Sequence, residues 1–435
     1  MKINKQFISH FILLAVATFL GKGVGFFKEM LVAYYFGTSK ELDILIFSFT
    51  LAGTLLTILS GGMEGTILPN YLRIKKQGVR EKNTYLFVVF TVFITLSYLL
   101  YIWLPVLGKD IIGYIARGFS SQDIVLAKSY LDLFVVYIIL AFLSVFFLSL
   151  LKAEKKFFFA GIVPSMIPAS IMIALYYQHN MGVISIAFGV LLGSTLQLAM
   201  SWIKASRYFY FKNLRGSLFK GNYKNFLKNY SILLGSGLFI GLIELTDQSF
   251  STLAGDGAVS SLSYAQKLPA LLDGVVVMIL GTILFSAFSE NISLSKHREN
   301  KVLYIKSLKI VLIATILTAS ILAFFSKELV NIVFVRGEFN QNSLMLVYPV
   351  QVAFFLKLPF ISIAVISARM MNSFELNKEM LYINIFSFVL NGILDYFLVI
   401  EYGVLGIAYA TLFTYISAAS FNYIVVMKRF KKVVI

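Results

Sequence analysis

No cysteine occurs in the 435 residues, so disulfides, thiolate-bound metals and cysteine nucleophiles are all excluded. Histidine is nearly as scarce: His10, His179 and His297 lie far apart and offer no metal-ligand spacing. Charged residues make up only 14% of the chain, against about 25% in water-soluble domains. Gly21-Lys22-Gly23-Val24-Gly25 is rich in glycine but lacks the spacing and the Lys-Ser/Thr pair of a phosphate loop. No catalytic motif is visible. No stretch between apolar blocks is long enough to hold the paired acids on an exported loop that a membrane glycosyltransferase or polymerase would want. The reading is a non-enzyme.

Apolar residues fill the gap: 59% of the chain is hydrophobic, in blocks of about 20, the length a helix needs to cross the hydrocarbon core. Lipid offers backbone groups no partners, so long blocks without strand alternation mean helices. The sequence predicts an all-α integral membrane protein with about twelve spans. They fall near 7–27, 42–59, 85–107, 130–151, 157–177, 183–202, 230–250, 268–289, 308–325, 344–368, 380–399 and 404–426. The first, seventh and eighth are the least apolar. Met1 to Lys5 and the apolar run after them read as an uncleaved first helix rather than a signal peptide.

The net charge of +17 marks topology here, not nucleic acid. With a cytoplasmic N-terminus, 28 of the 38 Lys and Arg residues fall in cytoplasmic segments and six on the other side. That bias obeys the positive-inside rule and places both termini in the cytoplasm. The chain also repeats itself. Gly65-Thr66-Ile67-Leu68 recurs as Gly281-Thr282-Ile283-Leu284. Arg117-Gly118-Phe119 recurs as Arg336-Gly337-Glu338-Phe339, and Gly182-Val183 with Ile186-Ala187-Phe188 recurs as Gly403-Val404 with Ile407-Ala408-Tyr409. Six spans per repeat give both halves one orientation, a transporter architecture with a pseudo-two-fold along the membrane normal. The expected division is a six-helix lobe over 1–202, a basic cytoplasmic linker over 203–229 and a second six-helix lobe over 230–435.

Charges inside spans are costly, so they face a cavity or a partner. Lys22, Lys28 and Glu29 lie on or just after the first span, Lys267 opens the eighth and Lys357 sits within the tenth. Snorkelling or internal pairing would explain them; lysines converging on a cavity would suit an anion such as a diphosphate. Asp247, Asn391, Asp395 and Thr411 form a second group. Asn391 and Asp395 are one helical turn apart and share a face. These hard oxygen ligands suit a hard cation or a proton relay, and a plain interhelical hydrogen-bond cluster is the alternative.

The opening Gly21-Lys-Gly-Val-Gly-Phe-Phe-Lys-Glu29, followed by Phe36-Gly37 and Asp43, resembles the MurJ (MviN) lipid II flippases of the multidrug/oligosaccharidyl-lipid/polysaccharide exporter superfamily. The resemblance continues through Ala116-Arg-Gly-Phe, Tyr264-Ala-Gln-Lys-Leu, Leu280-Gly-Thr-Ile-Leu, Val335-Arg-Gly-Glu-Phe and Ala368-Arg369. It implies an alternating-access flippase for a polyprenyl-diphosphate-linked sugar, a peptidoglycan precursor, in the bacterial cytoplasmic membrane. The implied partners are that substrate and membrane lipid, with no nucleic acid, and the implied state is a monomer. Lys22, Lys28 and Lys267 stand where the family has cavity arginines, and Glu29 and Asp43 are read with them as substrate contacts. A fourth basic position is missing between Gly53 and Ser60, where Thr57 lies. The resemblance also implies sodium as the one candidate cofactor, held by Asp247, Asn391, Asp395, Thr411 and the Ile407 carbonyl. Twelve spans equally match the polysaccharide flippases of the superfamily. A flippase for an O-antigen-type or capsular lipid-linked oligosaccharide therefore stays open, as does a cation-coupled exporter of small molecules.

Overall fold

The computed structural model describes residues 5–61, 63–208, 230, 238–239 and 241–433, without side chains for 5–15, 61, 63–66, 68–69, 275–283 and 286. The described residues are helical nearly throughout. In order they form α1 (Lys5–Phe36), α2 (Lys40–Gly61), α3 (Met63–Lys75), α4 (Val79–Ile115), α5 (Ser121–Ala153), α6 (Phe157–Met181), α7 (Ile184–Ala205) and α8 (241–251). There follow α9 (Ala258–Ser293), α10 (His297–Phe324), α11 (Ser326–Phe334), α12 (Gln341–Leu356), α13 (Leu358–Ser373), α14 (Asn377–Tyr402) and α15 (Val404–Val433). Nine helical segments among the described residues are long and apolar enough to cross a membrane, with α12 and α13 forming one such segment. They match nine of the twelve expected spans. The other three expected spans, at 7–27, 230–250 and 268–289, fall partly on residues or side chains outside those described.

The chain divides into two compact units. One comprises Met1–Phe36 with Ile44–Gly241, and the other Gly37–Asp43 with Leu242–Ile435. Most of the expected linker, residues 209–229, lies outside the described residues. Each unit has its own aromatic core. Tyr71, Phe93, Phe142 and Phe146 are fully buried in the first, and Phe288, Tyr304, Met370 and Phe430 in the second.

Local geometry repeats as the sequence does. Gly182 and Gly403 both take a positive φ, 61° and 58°, just before the last long helix of their unit. Ser120 caps α5 by accepting from the Asp123 N–H, with Asp123 reciprocating, and Asn340 caps α12 in the equivalent place after the second Arg-Gly motif. The Phe119 ring packs 5.3 Å from Phe47, and Phe339 packs 5.6 Å from Tyr264. These pairs lie at the same interval as the sequence repeats, so the repeat extends to turns and packing.

Three helix ends share one device. Lys155, Ser295 and Glu375 each adopt a left-handed conformation, with φ of 59°, 56° and 59°. In each, the next N–H reaches back across the turn: Lys156 to the Leu151 carbonyl, Lys296 to Asn291 and Leu376 to Met371. This is the Schellman closure, which glycine fills without steric cost. Glu375→Gly is therefore expected to stabilise the protein by about 1 kcal/mol, measurable as a raised thermal midpoint of the purified protein. An unchanged or lowered midpoint would contradict it.

Beside the first of these turns Glu154 accepts from the Tyr71 hydroxyl and the Lys75 ammonium, both at 2.5 Å. Burial alone would raise its carboxyl; the Lys75 and Tyr71 hydrogen bonds outweigh burial and hold it below the ordinary carboxylate value. A depressed folded-state value adds stability that is present above the unfolded value and lost as pH falls through the folded one. Glu154→Gln should therefore melt below the wild type near neutrality. The gap should close as the pH drops below about 4; a gap constant with pH would contradict the assignment.

Candidate functional site

The second unit buries a polar cluster. Asp247 comes from α8, Asn391 and Asp395 from successive turns of α14, and Ile407 and Thr411 from successive turns of α15. All five are buried, Asn391, Asp395 and Ile407 completely. Close helix approach makes this geometry. A Cβ at Gly406 would sit 2.1 Å from the Leu398 carbonyl, so only glycine lets α15 lie this near α14. The Asn391 amide donates to Asp247 Oδ1 at 3.1 Å and to Asp395 Oδ2 at 3.0 Å. Thr411 Oγ1 lies 3.0 Å from both Asp247 Oδ2 and the Ile407 carbonyl oxygen. The sequence-predicted set thus comes together in full.

Two oxygens in this cluster, Asn391 Oδ1 and Asp395 Oδ1, are buried and have no hydrogen-bond partner among the described residues. A buried acceptor without a donor is costly, and two nearby carboxylates repel unless something positive intervenes. Orphaned acceptors, two carboxylates and a reachable backbone carbonyl form an all-oxygen donor set, which fits a hard monovalent cation.

Lys357 lies at the junction of α12 and α13, where Pro359 leaves the Phe355 carbonyl without its usual helical donor. Its ammonium is 3.1 Å from Asp273 Oδ2 on α9, and the two side chains are 12% and 16% exposed. Internal pairing, one of the explanations its sequence position allowed, is what the structure contains. Asp273 itself was missed. It is an acid within the eighth span, which was the available signal.

The expected substrate residues divide between the units. On α1, Lys22 is exposed, whereas Lys28 and Glu29 are half-buried and paired at 2.6 Å. Lys22 and Glu29, seven residues apart, share one face of the helix. Lys267 is half-buried on α9 in the second unit. Asp43 is 2% exposed, and its two oxygens accept from the backbone N–H groups of Gly257 at 2.6 Å and Ser260 at 2.7 Å. Those donors are unsatisfied groups at the start of α9. The carboxylate caps the start of α9.

The family model described as lipid II flippase MurJ matches residues 32–434. The chain belongs to the MurJ lipid II flippase family. A probable lipid II flippase MurJ of Borreliella burgdorferi is 24% identical over 441 residues, covering 99% of this chain and 85% of that protein. Among solved structures, a lipid II flippase MurJ in an inward closed conformation superposes with a TM-score of 0.83 at 24% identity, covering 97% of this chain and 90% of that one. An inward-facing multidrug transporter of the MATE family, from the multidrug/oligosaccharidyl-lipid/polysaccharide superfamily, superposes at 0.79 with 13% identity, covering 97% and 98%. The fold is therefore that of the two-lobed MurJ and MATE transporters, and the protein is a multi-pass membrane transporter of the MurJ family.

Proposed function

We propose that this protein flips lipid II across the bacterial cytoplasmic membrane by alternating access. What carries the reading is the family match over residues 32–434 joined to basic side chains placed on apolar helices. The diphosphate–sugar head group enters from the cytoplasm while the polyprenyl tail stays in the bilayer. Lys22, Lys28 and Lys267 offset the diphosphate charge during the crossing, with Glu29 holding Lys28 in place. Both termini are cytoplasmic and the working unit is a monomer. Asp247, Asn391, Asp395, Thr411 and the Ile407 carbonyl would hold sodium. Bound there, sodium supplies the positive charge that two buried carboxylates require. The membrane potential offers about 2.3 kcal/mol per charge per 100 mV to reset the cycle.

Genetic rescue tests the substrate. Expression in a strain depleted of its own lipid II flippase should restore growth, and Lys267→Ala should not, at equal protein level. Rescue only of a strain lacking a polysaccharide flippase would replace lipid II with another lipid-linked oligosaccharide.

A further inference from the structure

The buried ion pair of Lys357 and Asp273 is not needed to hold either the cation or the head group. Its surroundings suggest a different task. The Lys357 ammonium lies 5.4 Å from the Phe354 ring centroid and 5.1 Å from that of Tyr415. Tyr415 is on α15, one turn beyond Thr411, so the lysine pocket and the cation cluster are stacked on one helix face. The lysine touches Tyr415, and Thr411, one turn before it, donates to Asp247. Asp273 satisfies the lysine with Oδ2 only; Oδ1 is buried with no hydrogen-bond partner among the described residues. A positive charge fixed in a low-dielectric interior acts over several ångströms with little screening.

We propose that the Lys357–Asp273 pair sets the affinity of the neighbouring cation site, with Lys357 as a tethered competing charge and Asp273 as the group that restrains it. This rests on the reading of Asp247, Asn391, Asp395, Thr411 and Ile407 as a cation site. Three carboxylates, Asp247, Asp273 and Asp395, and the Lys357 ammonium are gathered around this one face. The lysine neutralises part of the acid charge permanently, so an entering monovalent cation meets less attraction than two bare carboxylates would give. Binding stays weak enough for release on every transport cycle. The two aromatic faces hold the ammonium beside Asp273 and keep it from collapsing onto Asp247. Lys357 is thus a positioning and affinity-determining residue that touches neither substrate nor cation.

The test is a sodium titration of the thermal midpoint on purified full-length protein, with choline holding ionic strength constant. Lys357→Gln removes the competing charge and should lower the half-saturating sodium concentration roughly tenfold, the effect of one charge several ångströms away at an effective dielectric near 20. Asp273→Asn leaves the lysine unrestrained and should raise it by a similar factor. The double variant restores the net charge and should return near the wild-type value, and Lys357→Arg should stay close to it. Midpoints that fall in every variant while half-saturation stays put would overturn the proposal and leave a purely structural ion pair. No sodium response in the wild type, with the fold intact, would remove the cation reading and this inference together. If Lys357→Gln fails to fold, opposite shifts in Asp273→Asn and the double variant still decide the matter.

Discussion

Asp43→Ala should destabilise the protein by about 3 kcal/mol or more, the largest effect expected of any single substitution at the start of α2. The residue is almost wholly buried and supplies both acceptors for the N–H groups of Gly257 and Ser260. Hydrogen bonds to a charged group are worth about 1.5–3 kcal/mol each, and an unmet buried donor costs about 1–3 kcal/mol. Water cannot readily replace the lost oxygens, because the surrounding chain is tightly apposed. A Cβ on Gly257 would lie 2.8 Å from the Thr38 carbonyl oxygen, and one on Gly37 would lie 2.5 Å from the Glu338 carbonyl oxygen. Thr38 and Ser343 hydroxyls also meet at 2.9 Å. Asp43→Asn should fall between wild type and alanine, since its amide nitrogen would face a donor where a carboxylate oxygen now accepts. The check is the thermal midpoint together with protease sensitivity near residue 256. An alanine variant that melts with the wild type would mean that the capping bonds contribute nothing.

Sodium should raise the thermal midpoint of the purified protein, and Asp395→Asn should abolish the response. A ligand bound only to the folded state stabilises it by about 2.7 kcal/mol at a hundred times its dissociation constant. Asp395 is the residue to change because its Oδ1 is one of the two orphaned oxygens, and its neutral isostere keeps the shape. The physics also gives a crossing. Without sodium, the variant loses the repulsion between two buried carboxylates and should melt above the wild type; at saturating sodium the order should reverse. A shared proton instead of sodium would give equal melting in sodium and choline and a response to pH alone.

How much of this was legible in the sequence depends on how far apart the partners lie. Spans are local. Twenty apolar residues announce themselves, and α4, α5 and α10 cover the expected spans but start six to eleven residues before them. The weaker segments, α8 and α9, interrupt their apolar run with Asp247, Lys267 and Asp273. The cation group was half local, since Asn391 and Asp395 are one turn apart, as are Ile407 and Thr411. Asp247 joins them across more than 140 positions and was found through the family resemblance and its place inside a span. The capping by Asp43 was not legible, because its donors, 214 and 217 positions away, are backbone N–H groups that no side-chain pattern reveals. Lys357 was recognised as a charge needing an explanation, but its partner could be named only once α9 and α12 were placed together. Glu154 was invisible for the same reason: its hydrogen-bond partners Tyr71 and Lys75 are about 80 residues earlier.

Lipid II crossing the membrane through this protein is the central expectation. The most direct measurement uses spheroplasts in which the resident lipid II flippase is shut off and this chain is the sole replacement. An added impermeant enzyme that cleaves lipid II then reports how much of it has reached the outer face. The account predicts that lipid II becomes susceptible when the wild-type chain is expressed, and stays protected with Lys267→Ala at the same protein level. Lipid II that remains protected with the wild-type chain, while a known flippase in the same cells exposes it, would contradict the account.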